Sequence, residues 1–190
     1  MRVSNLLKIC FVLFITTLIL SCSKQALTDP EISVCDILKE NPQWSKSLKE
    51  AQTKYNLPPQ FAMSIIYQES KFIGTAKSKS SSAYGYAQAI DGTWKVFQNE
   101  VNSSAKRDNF NDSVQFIGWY MSDLSKRLKL NMTDSYSLYM AYMLGQTGYK
   151  RYKAGTYANK EVVHKNESIA SKVKARADLY NKQFRNCKIK

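Results

Sequence analysis

Glu69 is the residue whose neighbours most change what its side chain can do. In Phe61-Ala62-Met63-Ser64-Ile65-Ile66-Tyr67-Gln68-Glu69-Ser70 it stands four residues after Ile65 and eight after Phe61, with Phe72 three further on. Helical spacing therefore aims its carboxyl along an apolar stripe. A carboxylate held against apolar walls loses hydration when it ionises, so its pKa rises and it keeps a proton near neutral pH. Such a group can act as a general acid, as when an acetal oxygen must be protonated while it leaves. The same spacing also fits a glutamate that ends its helix and turns to water. Of the 15 carboxylate residues, others such as Asp91, Glu100 and Asp123 have ordinary capping or surface readings.

Other chemistries lack material. The single histidine, His164, has no recognisable sequence partner and reads as an exposed loop residue, which argues against a Ser–His–Asp triad or a His-ligated metal site. No GxxxxGK[ST] or GxGxxG run is present, so nucleotide chemistry has no support and no cofactor is implied. The 190 residues fit one domain or at most two small ones, and 44% hydrophobic and 12% aromatic content exclude a disordered tail. Lys and Arg number 28 against 15 Asp and Glu, a formal charge of +13.

The elements that must hold Glu69 read as helices throughout. Asn41-Pro42 predicts an N-cap and first helical position for a helix to about Tyr55, and Asn56-Leu57-Pro58-Pro59 breaks it and opens the next, Gln60 to about Phe72. A Lys- and Ser-rich stretch from Lys71 to Ser82 reads as a solvated loop. Asp91 is expected to cap a short helix through Glu100. Asn111 or Asp112 then caps a helix whose apolar residues Phe110, Val114, Ile117, Met121, Leu124 and Leu128 alternate steps of four and three. Ser135 to Leu144 is apolar almost all round, with Gly145 suited to its end. Glu167 to Phe184 buries Ile169, Val173, Ala177, Tyr180 and Phe184, with Lys172, Lys174, Arg176 and Lys182 solvated. No alternating stretch of useful length suggests a sheet. The fold class is mainly α.

The first residues read as an address. Arg2 and Lys8 precede the apolar run Ile9–Leu20, which suits a secretory signal and is short for a membrane span. Leu18-Ile19-Leu20-Ser21-Cys22 resembles the bacterial lipobox, which implies a signal over residues 1–21, lipidation of Cys22 and a membrane anchor. The alternative is an ordinary cleaved signal with an incidental cysteine. Ser23 after Cys22 resembles the sorting pattern for the periplasmic face of the outer membrane, in a host that has one. Residues 22–34 read as a tether and 35–190 as the domain. Removing residues 1–21 leaves 26 basic against 15 acidic residues, +11. It also leaves Cys35 and Cys187 as an even pair, expected to be bridged in an exported protein.

Three segments carry a family resemblance. Ile65-Ile66-Tyr67-Gln68-Glu69-Ser70-Lys71-Phe72, with Ala76 and Ser78 in the following loop, is similar to the catalytic motif of soluble-lytic-transglycosylase-type domains. Ala83-Tyr84-Gly85-Tyr86-Ala87-Gln88 with Thr93-Trp94 is similar to their Gly-Leu-Met-Gln stretch. Ala141-Tyr142-Met143-Leu144-Gly145-Gln146-Thr147-Gly148 is similar to their Ala-Tyr-Asn-Ala-Gly-x-Gly motif. The resemblance implies a lysozyme-like α fold that cleaves the β-1,4 bond between N-acetylmuramic acid and N-acetylglucosamine in peptidoglycan.

By the same resemblance Glu69 would be acid and then base. Ser70 and Gln88 would bind the sugar or hold the glutamate, Gly85 would let the backbone approach the glycan, and Tyr142 would contact Glu69. Tyr149 belongs to the tyrosine cluster expected at a sugar cleft, whereas Tyr136 and Tyr139 read more readily as core. Met143 replaces the family's Asn, and Tyr86-Ala87 replaces Leu-Met, which is expected to change the apolar wall of the cleft. Two rivals stay open: a goose-type lysozyme-like hydrolase, and a non-catalytic wall-binding lipoprotein. An exported chain does not meet nucleic acid, and its positive surplus suits the free carboxylates of the wall.

Overall fold

A computed structural model of the chain describes residues 33–187. The signal, the lipobox with Cys22 and nearly all of the tether lie outside the described residues. Seven helices follow in order: α1 Val34–Glu40, α2 Gln43–Tyr55, α3 Pro59–Ser70, α4 Asp91–Glu100, α5 Phe110–Leu128, α6 Ser135–Lys153 and α7 Lys160–Asn186. Among the described residues, β pairing is confined to isolated bridges of Tyr84 with Lys77 and Ala89. The mainly α reading holds.

Local chemistry sets the boundaries. Pro59 occupies the first turn of α3, where no amide donor is needed, and extended Pro58 precedes it. The Asn109 side chain accepts from the Asp112 amide and opens α5, a cap two or three residues before the one expected at Asn111 or Asp112. Asn41 is a clearer correction. Its side-chain amide donates to the Ile37 carbonyl at 3.0 Å, so it closes α1 instead of opening α2, whose start has no side-chain cap. Gly145, at φ 67 and ψ 171, breaks α6 as expected of a terminal glycine, and helix resumes beyond it.

α3 is the central strut. Phe61, Ala62, Met63, Ile65 and Ile66 are each at most 1% exposed, because α7 packs on one side of α3 and α2 and α5 meet it on others. The α5 stripe from Phe110 through Leu124 is buried, with Leu128 half-buried at its end. α7 starts at Lys160, two turns before the expected Glu167, since Asn159 caps it by accepting from the Val162 amide. Arg176, expected in solvent, is half-buried with its guanidinium 4.1 Å from the Tyr67 ring centroid, because its face of α7 meets α3.

The two ends of the described chain meet. Cys35 on α1 is bonded to Cys187 just after α7, 152 residues away, and the Val34 amide donates to Gln183 Oε1 at 2.9 Å beside the bridge. The expected disulfide is present.

Candidate active site

The acid-bearing end of α3 is closed by two successive left-handed residues, Lys71 at φ 53 and Phe72 at φ 63. A bulky aromatic residue rarely adopts that conformation, and here it turns the chain sharply away one turn after Glu69. Glu69 is thereby left at the rim of a cleft of about 470 Å³. One wall comes from Gln88, Ala89, Ile90 and Thr93, and the other from Phe116, Tyr120 and the Tyr142–Gly145 segment. Among the described residues lining this cleft, Glu69 is the only carboxylate.

Glu69 keeps some accessible surface, yet burial of its carboxyl raises its pKa from about 4.5 to about 7. One hydrogen bond acts against that rise: the Tyr139 hydroxyl donates to Glu69 Oε1 at 2.6 Å. The carboxyl group is thus dry and oriented at once. With Oε1 committed as an acceptor, Oε2 is the oxygen that remains to carry a proton. Tyr139 is only 2% exposed, and burial together with the neighbouring Glu69 pushes its own ionisation far up, so it stays a donor.

The expected contact therefore comes from a different tyrosine. Tyr142 lines the cleft, but its hydroxyl donates to the Ala87 carbonyl at 2.5 Å. Its ring lies nearly parallel to Tyr139 at 5.9 Å, so it braces the tyrosine that holds Glu69 and ties α6 to the opposite wall. Tyr139 and Tyr142 lie three residues apart on one helical face and differ in depth, which spacing does not reveal. A usable signal was present nonetheless: a tyrosine on an otherwise apolar helix needs a partner for its hydroxyl.

Other expectations shift as well. Ser70 is buried at 4% exposure and its hydroxyl donates to the Ile66 carbonyl one turn back, so it neither reaches the cleft nor holds Glu69. Gly85, at φ 82, does permit a close approach, but to protein: an added Cβ would lie 2.0 Å from the Arg107 carbonyl oxygen. Tyr149 is buried beyond the Gly145 break against Tyr152 and does not line the cleft. Tyr86 is absent from the cleft wall too; its ring meets Trp44 and Phe110 edge-on elsewhere. Gln88 and Met143 do line the cleft. The Gln88 amide nitrogen donates to the Ala76 and Gly85 carbonyls at 2.9 Å each, fixing the loop that carries it.

Arg107 is a positioning residue that the sequence did not single out. Its guanidinium donates to the Ser82 and Ala89 carbonyls at 2.9 Å and pairs with Asp91 at 2.8 Å, while its own carbonyl accepts from the Tyr86 amide. One side chain thus pins both ends of the cleft-wall segment. His164 has a partner after all: Nδ1 lies 3.3 Å from Glu167 on the exposed face of α7, away from the cleft lining.

The arrangement can deliver one proton to an oxygen seated in the cleft and take one back. Compared with models of protein families, residues 10–187 match the transglycosylase SLT domain. No curated protein matches the chain.

Proposed function

Because the chain belongs to the transglycosylase SLT domain family, we propose that it is a peptidoglycan lytic transglycosylase in which Glu69 is both acid and base. The family supports lytic-transglycosylase-type activity on peptidoglycan in a lysozyme-like fold. The observation that carries the finer reading is the solitary, buried Glu69 with its pKa near 7 and one oxygen held by Tyr139.

In the proposed reaction the proton on Glu69 Oε2 passes to the glycosidic oxygen as its bond to C1 of N-acetylmuramic acid breaks. The acetamido oxygen of the same sugar supports the positive charge, so no second carboxylate is required. The 6-hydroxyl of that sugar then attacks C1 and gives its proton to Glu69. A 1,6-anhydro end forms, no water is consumed and the acid is restored. A goose-type hydrolase would instead have to hold an attacking water. The match to a transglycosylase family favours the intramolecular route.

The address reading belongs to the same proposal: Cys22 anchors the domain to a membrane facing the wall, the outer membrane where the host has one. Mass spectrometry of digested peptidoglycan tests the chemistry. Products lighter by one water than hydrolysed muropeptides are expected; products at the hydrolysed mass would make the protein a hydrolase, and wall binding without release would make it a non-catalytic wall binder.

A further inference from the structure

A second concavity, of about 510 Å³, shares no lining residue with the Glu69 cleft. It lies between the start of α2 and the Asp108–Asn111 segment that leads into α5, with Tyr86 at its edge. Its floor is aromatic. Trp44 stacks on Phe110 with ring centroids 3.8 Å apart and planes within 2°, and Tyr86 meets both rings edge-on.

Two polar groups in this floor lack a use inside the protein. Trp44 is 93% buried, at 7% exposure, yet its indole N–H makes no hydrogen bond and is not sealed from solvent. Phe110 covers one face of the Trp44 ring, and Trp44 lines the groove. Ser47, also 7% exposed, lies one turn along α2 and lines the same groove with a hydroxyl in the same condition. Both groups are open to a partner from outside the protein, so the pair marks a place where a ligand can supply an acceptor.

The rim selects the ligand class. Gln43 and Asn111 contribute side-chain amides and Asp108 a carboxylate, groups that pair with hydroxyls and amides. Lys46 lies 3.9 Å from Glu50, so the only cation of the lining is already matched, and Asp108 disfavours an anion. Aromatic surface rimmed by neutral amides and two carboxylates, Glu50 beside Lys46 and Asp108, suits a pyranose carrying an acetamido group: its apolar face would meet Tyr86, its hydroxyls the rim, and its acetamido oxygen would accept from Trp44.

We propose that this groove is a second saccharide-binding site, which takes an N-acetylated pyranose of the same glycan polymer and holds it while the Glu69 cleft works on another stretch. The polymer's identity rests on the lytic reading above; the groove's preference for sugar does not. The wall segment joins the two sites, since it presents Tyr86 to the groove and Gln88 two residues later to the cleft. Two weak sites on one polymer raise residence on the wall beyond what either gives alone.

The test uses nuclear magnetic resonance on the full chain carrying Glu69→Gln, which blocks turnover, titrated with the N-acetylglucosamine tetramer. The chain has three tryptophans, and Trp44→Phe identifies the Trp44 indole signal by its loss. That signal is expected to shift and saturate, together with the side-chain amides of Gln43 and Asn111. In Trp44→Phe the remaining groove signals should titrate about fivefold more weakly, the loss of one hydrogen bond, while cleft signals from Ile90 and Gly145 titrate as before. Movement of the cleft signals with a motionless Trp44 indole would overturn the groove and leave the lytic reading standing. Movement of Trp44 alone would support the groove and count against the cleft. A groove that responds to a wall stem peptide and not to the tetramer would also overturn the proposal.

Discussion

Among the described residues, two glutamates accept a hydrogen bond from a tyrosine. Tyr139 donates to Glu69 at 2.6 Å in the cleft, and Tyr152 donates to Glu167 at 3.0 Å on the outer side of α7. The pairs look alike in a list of contacts and differ in surroundings. Glu167 keeps about a third of its side chain exposed (34%) and also faces His164 at 3.3 Å. Glu69 keeps some surface at the cleft, but its carboxyl is desolvated, and the tyrosine bond opposes the resulting rise of its pKa to about 7. Burial makes the acid and the tyrosine aims it. A hydrogen bond without dryness gives a surface contact.

The largest expected effect breaks the two pairs apart at the acid itself. Glu69→Gln should lower release of anhydro-muropeptides by about 10³-fold or more, whereas Glu167→Gln should leave it within about twofold. Release assays on purified sacculi, with circular dichroism to confirm folding, would check both. Comparable losses in the two variants would dissolve the distinction.

Next in size is pH. Glu69 must hold its proton to act as acid, so the rate should fall about tenfold per unit once pH exceeds the pKa near 7. Stability follows with a definite sign. A folded pKa raised above the unfolded value means that the folded chain retains a proton the unfolded chain has lost, so this contribution is full below about 4.5 and fades as pH rises to about 7. Glu69→Gln removes that dependence, and its melting temperature should gain on the parent's across the same window. A constant difference from pH 4.5 to 8 would contradict a dry Glu69.

Tyr139→Phe comes third. Removing the donor leaves the carboxyl dry but unaimed, with a loss of about tenfold in rate. It also removes the bond that favours the ionised form, so the alkaline fall should move to higher pH. Tyr152→Phe should change neither. A Tyr139→Phe profile displaced to lower pH would mean that the hydroxyl serves some other purpose.

How much of this was readable beforehand varies by residue. Glu69, the span of α4 and the cysteine pair follow from spacing and an even count, but the cap expected at Asp91 does not form: Ile90 precedes the helix without a side-chain bond, and Asp91 pairs with Arg107 instead. Tyr139 reads as core and is core, but a sequence gives a residue's angular position on a helix and not the carboxylate it meets 70 positions away. Gly85 and Ser70 fit the family pattern, yet one is spent on the Arg107 carbonyl and the other on its own helix. Arg107 lay in a polar stretch where nothing distinguishes a guanidinium that pins three partners from one in water. Sequence marks which residues need an explanation; packing decides which neighbour supplies it.

The smallest catalytic effect is expected from the staple behind both pairs. Cys35→Ser with Cys187→Ser releases a closure spanning 152 residues and should cost stability of about 4–5 kcal/mol on the chain-entropy model. Denaturant midpoints would fall, while rates below the new transition should stay within about twofold. A selective loss of activity at full folding would mean that the bridge shapes the cleft and is more than a clamp.

The proposed catalysis turns on the ionisation of Glu69, which carbon-13 resonance of labelled glutamate carboxyls reports. The parent should show one carboxyl, missing from Glu69→Gln, that titrates near pH 7 and whose midpoint rises in Tyr139→Phe. A Glu69 signal that titrates near pH 4.5 would contradict the account.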